Sequence, residues 1–121
     1  MSQTLNNKQY DLEKRTQEFA KNCRSFLKLL PRSISNYEDI KQLTRSSGSI
    51  AANYIEANEA LSKKDFVMRV KICKKESKET CLWLTLIDVK NDTMLEKQRM
   101  ALLDESTQIM KIFGAIIEKS K

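Results

Sequence analysis

Two glycines and one proline are all the backbone punctuation in 121 residues. Sheets joined by tight turns need many more of both, because left-handed and fixed-φ positions recur at their hairpins. That scarcity comes close to excluding an all-β fold and leaves long helices with short connections. The apolar spacing agrees, being helical almost throughout. Leu12, Phe19, Cys23, Phe26 and Leu30 step by seven, four, three and four, which makes one seam on a helix over about 9–30. Pro31 stops it, because the residue before a proline is pushed out of the α region.

Ser33 or Asn36 can cap a second helix over about 37–59, with Asp39 three residues beyond Asn36 in a box-like arrangement. Ile40, Leu43, Ile50 and Tyr54 form its apolar side. Gly48 lies in its interior, where glycine costs about 1 kcal/mol relative to alanine, so it marks a close helix–helix contact. Ser62-Lys63-Lys64-Asp65 is a capping box that opens a third helix over about 63–90. There Phe66, Val70, Cys73, Ser77, Thr80, Leu84 and Ile87 alternate steps of four and three, the cleanest periodic signal in the chain. Asn91-Asp92 makes the next turn, and Thr93 with Glu96 reads as a box for a fourth helix over about 94–119. Met100, Leu103, Met110, Phe113 and Ile117 are its apolar positions, with Leu102, Ile109, Ile112 and Ile116 alongside. Four such helices with short loops must pack antiparallel to their neighbours. The expectation is an all-α fold: a single-domain, up-down-up-down four-helix bundle over residues 1–121.

Two features exceed a plain monomeric bundle. The third helix ends in Cys81-Leu82-Trp83-Leu84-Thr85-Leu86-Ile87, apolar almost all round, and the fourth has a wide stripe. Either a loop or tail covers the excess, or Leu82, Trp83, Leu86, Leu102, Ile109, Ile112 and Ile116 meet other subunits, since monomers rarely expose large apolar patches. The second feature is a polar seam on helix two, where Gln42, Ser46, Ser49, Asn53 and Glu56 step by four, three, four and three. It is either a solvated face or a buried polar layer with Glu76, Ser77 and Thr80 as candidate partners.

From Gln42 to Ile87 the sequence resembles the four-helix bundle proteins called 23S rRNA intervening-sequence proteins. The likeness rests on Gln42, Leu43, Arg45, Ser46, Ser49, Ile50, Ala52, Asn53, Glu56, Ala57 and Asn58, followed by Ser62 to Phe66. Many relatives carry Gly after Glu where this chain has Ala57-Asn58. The resemblance implies a bundle assembled as a homopentameric barrel, in a family encoded within insertions in bacterial large-subunit ribosomal RNA genes or elsewhere in genomes. It also implies kinship with the accessory bundle of diversity-generating retroelements, which is linked to RNA and reverse transcriptase. It supplies no catalytic residue.

The chemistry is sparse. Without a histidine the chain has no imidazole metal site, no Ser–His–Asp triad and no Cys–His dyad. Three cysteines fall short of a four-thiolate zinc site, and Cys23, Cys73 and Cys81 read as small apolar core residues kept reduced. Glu56 with Glu59, and Glu76 with Glu79, are acidic pairs common on any charged helix. The expectations are no enzyme activity, no metal, no cofactor and no small-molecule substrate. No apolar run approaches a membrane span, and the first residues lack a signal-peptide core, so a cytoplasmic protein is expected. A net charge of +6 keeps RNA or DNA in play as partners. Lys63, Lys64, Lys71, Lys74, Lys75 and Lys78 cluster on helix three, and with Arg45 they are the candidate nucleic-acid contacts. Read blandly, this is a solvated face diluted by Glu76 and Glu79; read functionally, it is a phosphate-contacting stripe. Two functions follow: a homo-oligomeric scaffold for structured RNA, or a protein–protein adaptor with no nucleic-acid role.

Overall fold

The computed structural model describes the backbone of residues 2–121 and the side chains of residues 11–121. Four helices account for nearly all of it: α1 (Ser2–Leu27), α2 (Ile34–Asn58), α3 (Lys63–Leu86) and α4 (Thr93–Lys119). Side chains report the directions of packing. Asn58 meets Glu13 while Arg24 meets the Thr44 carbonyl, so α1 and α2 run antiparallel. Arg69 meets Asn53 and Thr80 meets Ser46, which does the same for α2 and α3. Ser106 bonds the Ser77 carbonyl and Arg99 the Leu84 carbonyl, setting α4 against α3. Arg15 closes the ring with two 2.8 Å bonds to the Glu105 carboxylate on α4. Each helix therefore borders two others, and the diagonal pairs make no close backbone approach among the described residues. This is the expected up-down-up-down bundle.

The helix ends explain four shifts from expectation. α1 stops at Leu27, earlier than expected. The Leu29 and Leu30 amides bond three residues back, a tighter turn that carries the chain into Pro31 and still buries Leu30. α2 starts at Ile34 because Ser33 is the cap, its extended backbone letting Oγ accept from the Asn36 amide at 3.2 Å. Asn36 is not a cap. It is fully buried, its Nδ2 donating to the carbonyls of Asp88 (2.8 Å) and Pro31 (3.1 Å) while its Oδ1 accepts from the Asp88 amide (3.0 Å). That grip ties the two loops at one end of the bundle together. It also accounts for α3 ending at Leu86: the chain must extend at Ile87 and turn through Lys90 and Asn91, both left-handed, before α4. Ser62 caps α3 as expected, accepting from the Asp65 amide. The α4 cap is Asp92 rather than Thr93, since the Asp92 carboxylate accepts from the Leu95 amide at 3.0 Å. Glu96 turns instead to Arg99, whose guanidinium holds its carboxyl below the usual carboxylate range.

The core follows the heptads. Leu12, Phe19, Cys23, Phe26 and Leu30 are all buried, and so are Val70, Cys73, Ser77, Thr80, Leu84 and Ile87. On α4 the buried seam is Leu95, Leu102, Ser106, Ile109 and Phe113, so of the expected positions Phe113 is in the core, Leu103 and Ile117 pack against it, and Met100 and Met110 lie on the flank. Met100 is half exposed. At the centre, the rings of Tyr54 and Phe113 meet across the diagonal at 5.7 Å, tilted by 53°. Several core positions are hydroxyls that bond within the bundle: Ser77 to the Cys73 carbonyl, Thr16 to the Glu13 carbonyl, Ser106 across to the Ser77 carbonyl. The burial of each of these three hydroxyls is thus offset by a partner. Gly48 makes the expected close contact, but with a side chain. A Cβ there would lie 3.1 Å from the Arg24 guanidinium, which crosses from α1 to the Thr44 carbonyl.

Candidate nucleic-acid interface

The register of α3 decides which of its side chains reach solvent. Its four–three seam points inward between α2 and α4, so residues about half a turn away point out. Lys63, Lys64, Lys71, Lys74, Lys75 and Lys78 are all exposed, and none is ion-paired with a carboxylate among the described residues. Lys64 to Lys78 spans about 21 Å at the helical rise. Lys71, Lys74, Lys75 and Lys78 line an open groove of about 770 Å³, completed by Glu79, Cys81, Leu82 and Thr85. Lys74 reaches the α4 side, where its Nζ lies 3.7 Å from the position a Cβ on Gly114 would take, an ordinary contact distance.

Arg45 is not part of this face. It sits on α2 and bonds Glu76 Oε2 and Glu79 Oε1, each at 3.3 Å. Arg45 thus meets two carboxylates of α3, and Glu79 both accepts from it and lines the lysine groove. Asp65, the third acid of α3, lies in its first turn, a turn before Arg69. α3 therefore carries most of the net positive charge, facing outward.

The polar seam of α2 divides along its length. Ser46 is fully buried and shares a 2.8 Å hydrogen bond with Thr80, one of the expected partners. Asn53 is half buried, donating to the Ser49 carbonyl (2.9 Å) and Oγ (3.0 Å) and accepting from Arg69 (3.0 Å). Gln42 is half buried, and Glu56 is exposed beside Glu59 and Asp65. Of the other two expected partners, Glu76 pairs with Arg45, and the Ser77 hydroxyl donates to the Cys73 carbonyl of its own helix. The middle of the seam is the polar joint between α2 and α3, not a continuous layer. Arg69 was missed by the periodicity because its partner lies on another helix.

The apolar candidates separate too. Leu82 and Leu86 are 49% and 52% exposed, on the same outer side of α3 as the lysines. Trp83, Ile112 and Ile116 are half buried against the core. Leu102 at 8% and Ile109 at 0% belong to the core of the single chain, which removes them from any surface open to a second subunit. Four exposed residues that the helical period did not single out, Leu29, Ile34, Tyr37 and Met94, lie with Leu86 at the loop end that Asn36 clamps. They sit at helix ends and in a loop, where periodicity gives no signal.

Burial pushes the Cys23 and Cys73 thiols up to about 12. Among the described residues no three of His, Cys, Asp and Glu converge as metal ligands. No described helix is long and apolar enough to cross a membrane.

Comparison with known proteins agrees with this architecture. A crystal structure of a protein of unknown function from the S23 ribosomal protein family of Bacteroides thetaiotaomicron is similar, with a TM-score of 0.79 and 32% identity. The likeness covers 92% of this chain and 98% of that one. Functionally curated proteins give no match. Residues 8–115 match the family model described as 23S rRNA-intervening sequence protein. A match that spans nearly the whole four-helix bundle, with a solved neighbour of the same shape and length, leads to one conclusion: the chain belongs to the 23S rRNA-intervening sequence protein family.

Proposed function

We propose that the protein is a non-enzymatic, self-associating helical scaffold that binds structured RNA through the lysine face of α3. One observation supports this reading: six lysines of a single helix face solvent and pair with no carboxylate among the described residues, while Glu76 and Glu79 of the same helix pair with Arg45. Such a face attracts phosphates by charge and by counterion release, without reading sequence. The family name links its members to 23S rRNA, which supports RNA over other polyanions. Self-association, in the homopentameric form that the resemblance implies, would repeat the face around a ring and raise affinity by multivalency. The exposed apolar residues at the clamped loop end, Leu29, Ile34, Tyr37, Leu86 and Met94, offer surface for such contacts.

The same exposed apolar residues favour the second reading, a protein–protein adaptor with no nucleic-acid role. Charge reversal separates the two. Lys71→Glu, Lys75→Glu and Lys78→Glu together should abolish RNA association under the first reading and spare partner binding under the second. Equilibrium sedimentation tests assembly in the same preparations, one copy of the chain weighing 14.1 kDa. A monomer at all concentrations would remove the ring from the proposal.

A further inference from the structure

The groove on α3 has two unlike halves. Lys71, Lys74, Lys75 and Lys78 occupy the N-terminal half, and Cys81, Leu82 and Thr85 the C-terminal half. Leu82 lies one helical turn beyond Lys78 on the same outer side and is half exposed, with Leu86 a further turn on. Glu79 edges the groove on the α2 side, its carboxylate held by Arg45.

A duplex would use only one of these halves. Double-stranded RNA presents phosphates and 2′-hydroxyls to a protein surface, its base faces being stacked inside and its major groove too deep and narrow for side chains. Laid on this groove it would satisfy the lysines and set Leu82 and Leu86 against charged backbone, where covering them gains nothing. An unpaired strand carries phosphates and exposed base faces together; with no aromatic side chain in the groove to stack on, a base would cover Leu82 by apolar contact alone. Resting on the RNA reading above, we infer that the α3 groove takes unpaired RNA, a loop or single strand, with phosphates on Lys71, Lys75 and Lys78 and a base over Leu82. Structured RNA would then be held at its loops rather than along its stems.

Charge alone predicts the opposite preference. A duplex carries the denser phosphate array, so a purely cationic face binds it at least as tightly as a single strand. The test compares a short RNA without self-complementarity and the blunt duplex it forms with its complement, titrated into the full chain by fluorescence anisotropy. The unpaired strand should bind more tightly. Leu82→Ser should weaken it about five-fold while leaving duplex binding and the salt slope unchanged. Leu82 is surface-exposed, so the variant should fold, and its far-ultraviolet spectrum and melting point confirm this. Equal affinity for both forms with no effect of Leu82→Ser would overturn this inference and leave the lysine stripe standing. Displacement of the strand by poly-glutamate at equal charge would also overturn it, since a polymer without bases would then fill the groove. Absence of binding to either RNA at low salt would overturn the RNA reading, and the inference with it.

Discussion

Asn36 offers the sharpest test of how the bundle is closed. Its side chain makes three hydrogen bonds of 2.8, 3.0 and 3.1 Å to the backbone of Pro31 and Asp88, and it is 0% exposed. Asn36→Ala removes all three and leaves two carbonyls and one amide to find water in a space that excluded it. At about 1 kcal/mol for each net hydrogen bond, and more where a group stays dry, the loss is about 2–4 kcal/mol. For a chain of this size that lowers the melting temperature by about 10 °C or more. Asn36→Asp keeps the acceptor for the Asp88 amide but sets a buried carboxylate against two carbonyl oxygens. Its folded-state pKa must then rise above that of the unfolded chain. The variant should therefore be weakest at neutral pH and regain stability as pH falls through that raised value, reversing the usual acid trend. Urea unfolding followed by circular dichroism at several pH values measures both. A loss below about 0.5 kcal/mol for Asn36→Ala, or a neutral-pH Asn36→Asp as stable as wild type, would refute the clamp.

Four further outcomes follow from the same packing. Cys23 and Cys73 should resist a thiol reagent at mildly alkaline pH while the half-buried Cys81 reacts, all three reacting once unfolded; mass spectrometry of labelled peptides decides. Because burial raises both thiols to about 12, the folded chain holds protons that the unfolded chain releases above about 9, so stability should fall across that alkaline window. Arg45→Ala strands Glu76, which is buried, and should cost about 1 kcal/mol in urea unfolding, the partial exposure of Arg45 limiting the effect; no change would mean the pair is screened away. Trp83→Phe keeps most of the half-buried ring and deletes an indole N–H that is buried without a partner, so it should cost less than about 1 kcal/mol or stabilise, and a loss of several kcal/mol would contradict that geometry.

Much of the fold was legible because heptad spacing survives wherever apolar residues fill it. The seams of α1 and α3 are legible even though α3 places Ser77 and Thr80 in its own, since the flanking Val70, Cys73 and Leu84 hold the register. α4 was misread for a related reason. Ser106 occupies a core position, while Met100, Leu103 and Met110 mark a flank, and composition alone favours the flank. Asn36 looked like a cap because its neighbours suit one; its true partner lies 52 residues away, and no local pattern reports that. The same distance hid the site electrostatics. The lysines of α3 were visible as a cluster, but whether Glu76 and Glu79 dilute them depends on Arg45, more than 30 residues upstream on the facing helix. Leu102 and Ile109 were placed outside because a wide stripe does not show which of its edges faces the core.

The lysine face of α3 is tested most directly by titrating a structured RNA with an unpaired loop at two salt concentrations, with wild type and the Lys71→Glu, Lys75→Glu, Lys78→Glu variant. With about four phosphates neutralised per subunit, wild-type affinity should drop by about fifty-fold or more between 50 and 200 mM salt, and the variant should not bind. A variant that binds with an unchanged salt slope, or a wild type that fails to bind even at low salt, would contradict the assignment of that face to RNA.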